Sequence, residues 1–166
     1  SRSARFVARA NLYEERLLSE RTNDGASVHV TTPESEVAQL ADASRAHEPG
    51  ELGALACKLY DENPNLTEEE AYEAFIGWVE SRGIELWPHQ EEALMSIMVG
   101  DHVVLGTPTG SGKSLVALGM HFIAMCFGER SYYTAPIKAL VSEKFFNLVD
   151  ILGRENVGMI TGDVHI

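Results

Sequence analysis

An α/β fold with a parallel sheet is predicted for the second half of this 166-residue chain, on two observations. From about residue 84 short apolar runs alternate with helix-length stretches, the order that parallel strands and right-handed crossovers produce. At the junction of one such run and the next helix stands Gly110-Ser111-Gly112-Lys113-Ser114, a glycine-rich turn of the kind that cradles a polyphosphate. Ahead of this region the sequence predicts a small helical region over 51–83, and before that a flexible or accessory segment over 1–50.

Residues 1–50 are rich in Ser, Thr, Ala, Asp and Glu and are broken at Asn23-Asp24-Gly25, Thr32-Pro33 and Pro49-Gly50. Only weak helical stretches are expected there, at 12–18 and 34–43, because few large apolar residues support them. In 51–83, Leu52, Leu55, Leu59 and Tyr60 recur at helical spacing until Asn63-Pro64-Asn65 interrupts. A second helix starts with Thr67 as N-cap and Glu70 three residues on, the capping-box pattern. It continues with Tyr72, Phe75, Ile76 and Val79 on one face and ends at Gly83. The acids Glu68-Glu69-Glu70 suit a solvated first turn at the positive end of the helix.

From Gly83 onward, Trp87-Pro88 opens a helix to about Val99, stopped by Gly100, and His102-Val103-Val104-Leu105 reads as a buried strand. A mostly apolar helix is expected over 113–127, a strand over 131–135, a helix from 137 to about 152 and a third strand over 157–160.

Bulk properties narrow the class. One ordinary domain fits in this length, but not two nucleotide-handling domains, and the chain starts at Ser1 without Met, so a fragment is expected. No apolar run approaches the ~18 residues of a membrane span. Cys57 and Cys126 lack CxxC spacing and are expected to be small buried hydrophobes in a reducing, cytoplasmic setting. The six histidines show no ligand spacing such as HExxH. The formal net charge of −12 argues against a broad basic surface for nucleic acid. That excess lies upstream, with 11 acids against 2 bases in 51–92 but 6 against 5 in 93–166. A nearly neutral carboxy-terminal half can still hold a strand through backbone amides and a few cations.

In the phosphate loop, Gly110 and Gly112 let the backbone turn so that the amides of 110–114 point at a polyphosphate. The helix that follows adds its positive end. Lys113 would reach the β- and γ-phosphates, and the Ser114 hydroxyl would ligate Mg²⁺. The strict G-x-x-x-x-G-K-[ST] pattern places its first glycine at 107, where this chain has Thr107 and carries Gly106 instead.

Thr107-Pro108-Thr109-Gly110-Ser111-Gly112-Lys113-Ser114 resembles motif I of the superfamily 2 DEAD/DExH-box helicases, which commonly relax that first position. Gln90, 23 residues before Lys113, sits where the family carries its Q-motif glutamine, and its amide suits bidentate pairing with adenine N6 and N7. Trp87 could stack on adenine or pack in the core. Pro136-Ile137-Lys138-Ala139-Leu140 is similar to motif Ia, and Thr161-Gly162-Asp163 to a further backbone-contacting motif. The Pro-x-x-Ala-Leu wording is that of the DExH helicases that feed the RNA exosome and of their bacterial relatives.

This resemblance covers 86–163. It implies the amino-terminal part of a first RecA-like domain over 84–166, a P-loop NTPase fold. It implies ATP and Mg²⁺ as cofactors, with Gln90, Thr109, Gly110, Ser111, Gly112, Lys113 and Ser114 binding the nucleotide and Lys113 and Ser114 serving catalysis. Pro136, Lys138, Ala139, Thr161 and Gly162 would meet nucleic acid, RNA more than DNA. The Asp-Glu motif and the second RecA-like domain would lie beyond Ile166, so this chain by itself is expected to bind nucleotide weakly and to be inactive. Two other readings stay open: a different P-loop NTPase or kinase, and a partner-binding module in the amino-terminal region.

Overall fold

A computed structural model describes residues 6–9, 36–106 and 111–162. Helix α1 (Glu36–Ala46) places Glu36 in its first turn and Arg45 in its last, each at the end of the helix dipole that favours its charge. It buries Val37, Leu40, Ala41 and Ser44. The other weak stretch, 12–18, lies outside the described residues. Helix α2 (Glu51–Glu62) follows Gly50, whose left-handed φ of 78° turns the chain. Helix α3 (Glu68–Ser81) starts on the expected capping box. Thr67 Oγ1 accepts from the Glu70 N–H at 3.2 Å, and Glu70 Oε2 accepts from the Thr67 N–H at 2.9 Å. Its buried face carries Ala71, Phe75, Trp78 and Val79, with Tyr72 and Ile76 half-buried beside them. The α2 and α3 helices are tied by Glu51, which accepts from Trp78 Nε1 at 3.1 Å and pairs with Arg82.

Helix α4 (Pro88–Met98) ends before Gly100, as expected. Helix α5 (Ser111–Cys126) is the centre of the molecule and touches α1, α2, α3 and α4. That position explains its apolar texture, since a helix covered on most sides cannot keep a polar face. Leu115, Val116, Leu118, Phe122, Ile123 and Cys126 all belong to the core, which runs without a break from Val37 to Leu152. Two glycines are used for close approach. A Cβ on Gly119 of α5 would stand 2.6 Å from Leu94 Cδ2 and 2.8 Å from Phe75 Cε1, and one on Gly53 of α2 would overlap the Leu152 carbonyl. Cys57 departs from expectation: it is exposed, on the outward face of α2 beside Lys58.

After α5, β2 (Ser131–Thr134) leads into α6 (Lys138–Leu152) and a 3-10 turn at Arg154–Asn156. Strand β1 (Phe6–Arg9) pairs with β2 in parallel, Phe6 opposite Ser131 and Arg9 opposite Thr134. The expected strands at 102–105 and 157–160 are not formed. Residues 102–105 carry no strand, and only Ile160 is a bridge residue in the second run. Val104 is 91% exposed. A strand is made by its ladder, and among the described residues only β1 and β2 form one, so the apolar run alone is insufficient. The described architecture is mixed and mainly helical, consistent with part of a RecA-like domain. No helix among the described residues is long and apolar enough to cross a membrane.

Candidate nucleotide site

Two helix starts meet at this site. Pro88 occupies the first turn of α4, where its missing N–H costs nothing, and Gln90 folds back so that Oε1 accepts from the Trp87 N–H at 2.8 Å. Gln90 is wholly buried. Its Nε2 donates to the Gly112 carbonyl at 3.2 Å and to Glu36 Oε2 at 3.1 Å. The first turn of α4 is thereby fastened to the first turn of α5. The ring Nε2 of His89 and the Nε2 of Gln90 each lie 3.5 Å from where a Gly112 Cβ would be, so both side chains line this corner. Trp87 is 63% exposed, which excludes it from the core.

Ser114, Ala117 and His121 follow on one face of α5 and line a cavity of ≈ 20 Å³ together with Val37, Tyr133, Lys144 and Leu148. That volume is about one water. The Lys144 ammonium, mostly buried, reaches the Ser114 hydroxyl at 3.5 Å and has Glu143 Oε1 at 3.7 Å. His121 Nδ1 and Ser131 Oγ are 2.7 Å apart, and His121 Nε2 is buried without a hydrogen-bond partner. Burial lowers the imidazole pKa to about 4, so the ring is neutral at pH 7.

These groups fit Mg²⁺ and a nucleotide phosphate in kind. The Ser114 hydroxyl is an oxygen donor of the kind Mg²⁺ takes, the Lys144 ammonium beside it suits a phosphate, and α5 is long enough for its first turn to carry a full helix-end charge. Lys113 is half-buried in that turn. Thr107, Pro108, Thr109 and Gly110 lie outside the described residues, as does the side chain of Ser111. A surface depression lined by Glu80, Gly83, Ile84 and Glu85 offers two carboxylates to a ligand and suits no phosphate.

Of the residues expected at nucleic acid, Pro136, Lys138 and Ala139 are exposed at the start of α6, Gly162 is exposed and Thr161 half-buried. Asp163 lies outside the described residues. The structure therefore joins Gln90, Gly112 and Ser114 through α4 and α5 and leaves the other two turns on the surface. Sequence reading missed Lys144 and Glu36. The signal for Lys144 was present: it interrupts the stripe Val141, Phe145, Leu148 on α6, where a charge is costly without a partner. Glu36 had no local signal, because its partner is 54 residues away.

Residues 87–165 match the model of the DEAD/DEAH box helicase family. Among curated proteins, this chain is similar to the DExH-box ATP-dependent RNA helicase DExH15 of Arabidopsis thaliana, at 39% identity over 74 residues, 45% of this chain and 6% of the relative. It is similar to the probable helicase HelY of Mycobacterium tuberculosis, at 34% over 77 residues, 46% of this chain and 8% of the relative. A third relative is the ATP-dependent DNA helicase Hel308 of Thermococcus kodakarensis, at 41% over 90 residues, 51% of this chain and 8% of the relative. The chain thus spans less than a tenth of each of these proteins. No solved structure matches it.

Proposed function

We propose that this chain contributes the nucleotide-binding front of an ATP-dependent helicase motor that couples ATP hydrolysis to movement on, or unwinding of, RNA or DNA. The observation that carries the reading is the docking of the Gln90 turn on Gly112, which sets an amide able to read adenine against the start of the phosphate loop helix. In this reading residues 84–166 are an incomplete RecA-like ATP-binding region with its parallel sheet, and 51–83 and 1–50 are helical and accessory segments packed or joined to it.

The amides of 110–114 and Thr109 hold the phosphates, Lys113 neutralises the β- and γ-phosphate oxygens, and Ser114 helps hold Mg²⁺. When bound, Mg²⁺ would offset the charge that gathers on the phosphates during transfer. Pro136, Lys138 and Ala139 present a helix start to a nucleic-acid phosphate, and Thr161 and Gly162 a second backbone contact. RNA is preferred to DNA on the Pro-x-x-Ala-Leu wording at 136–140, although the relatives include both an RNA and a DNA helicase. The Asp-Glu motif, the arginines of a second RecA-like domain and hence turnover belong to the rest of the motor.

The test is Lys113→Ala in the full-length protein. Nucleic-acid-stimulated ATPase should fall by roughly two orders of magnitude or more, the scale of losing a transition-state charge contact. Turnover equal to wild type would reject the motor reading.

A further inference from the structure

We infer that Glu36 competes with adenine for the Gln90 amide, so that the first turn of α1 sets how readily the site takes an adenine nucleotide. This rests on Gln90 being the adenine reader proposed above. A primary amide has two N–H donors and one oxygen with two lone pairs. Both Gln90 N–H groups are engaged, one with Gly112 O at 3.2 Å and one with Glu36 Oε2 at 3.1 Å, while Oε1 accepts from Trp87 at 2.8 Å. Bidentate reading of adenine needs one amide N–H for N7 and one lone pair for the N6 amino group. A lone pair remains on Oε1. No N–H remains.

One of the two acceptors must therefore give way. Gly112 O is backbone in the first turn of α5 and cannot leave without unwinding it. Glu36 is a side chain at the first residue of α1 and can rotate away. Its hold on Gln90 is nevertheless well supported. Val37, the next residue, is buried and lines the cavity beside Ser114 and Lys144, which anchors this end of α1 at the site. Glu36 also brings a carboxylate one hydrogen-bonded amide away from Gly112, where a polyphosphate would be repelled. The apparent affinity for ATP is then the intrinsic affinity reduced by the fraction of molecules in which Glu36 has released Gln90.

The experiment measures dissociation constants for Mg²⁺-ATP and Mg²⁺-GTP by calorimetric titration of the full-length protein, as wild type, Glu36→Ala, Glu36→Gln, Gln90→Ala and the Glu36→Ala/Gln90→Ala double variant. Glu36→Ala should tighten ATP by about tenfold, corresponding to about 1.4 kcal/mol, and GTP by less than about threefold, because only adenine uses the freed N–H. Glu36→Gln keeps an acceptor oxygen but not the charge and should tighten ATP by about threefold. In the Gln90→Ala background the effect of removing Glu36 on ATP should shrink to the less than about threefold expected for GTP, since only the repulsion of the phosphates then remains.

Unchanged ATP affinity in both Glu36 variants, or equal gains for ATP and GTP, would overturn the inference while leaving Gln90 as the adenine reader. Should Glu36→Ala fail to fold, Glu36→Gln carries the same comparison. A Gln90→Ala protein with the wild-type preference for ATP over GTP would instead remove the reading of Gln90 on which the inference stands.

Discussion

The helices around α5 bury whole apolar faces, whereas in the runs 102–105 and 157–160 only part of the apolar surface is covered, with Val103, Leu105 and Val157 packed against the core and Met159 buried. Phe75, Phe122, Leu94 and Leu115 are fully buried, the two phenylalanine rings 5.8 Å apart. On the other side, Val104 and Ile160 are exposed, Ile160 at 73%. A helix satisfies its backbone within itself and needs only a neighbour for one face, whereas a strand depends on other strands for its hydrogen bonds. Apolar content alone therefore does not predict burial; the partner does.

The largest expected effect lies inside the helical body. Phe75→Ala should cost about 3–5 kcal/mol, the usual range for emptying a buried phenylalanine site, read as a fall in the urea midpoint. A loss below about 1 kcal/mol would mean that the core is no better packed than the strand edge.

The seam between the two regions is His121, on α5 against Ser131 of β2. Its folded pKa of about 4 lies below the unfolded value of 6.5, so the unfolded chain binds the extra proton first. The associated stability is complete above pH 6.5 and is lost as pH falls from 6.5 toward 4. The gap between the two values amounts to about 3 kcal/mol. Melts of wild type and His121→Phe over pH 4–7 should diverge in that window. Parallel curves would place the imidazole in contact with solvent.

A smaller change is expected at a helix end. Thr67→Ala removes one half of the capping box and should cost about 1 kcal/mol by thermal melting. Smallest is Val104→Thr, at an exposed position, for which a change within about 0.5 kcal/mol is expected. A larger loss in the full-length protein would show that this run is covered there, as the parallel sheet in the proposed fold requires.

Helices were the legible part of this fold. The Thr67/Glu70 box, Pro88, Gly100 and the long apolar run after Lys113 each act within a few residues, and α3, α4 and α5 are observed where those signals stand. The strands at 102–105 and 157–160 were read from the same kind of local pattern, but their existence depends on ladders that the pattern does not contain. At the site, the motif wording drew attention to Gln90 and Gly112 separately. That their side chain and carbonyl meet at 3.2 Å, that Gln90 is buried and not exposed, and that Glu36 and Lys144 enter the same corner follow from how α1, α4, α5 and α6 pack.

By itself the sequence determined the helix boundaries and the helicase wording from Leu86 to Asp163, because caps, breakers and motif residues act through near neighbours along the chain. The tertiary structure alone decided which apolar runs are covered, and that the Gln90 amide is shared between Gly112 and Glu36. Those contacts join residues 22 and 54 positions apart, a separation over which chain-local chemistry has no influence and only packing does.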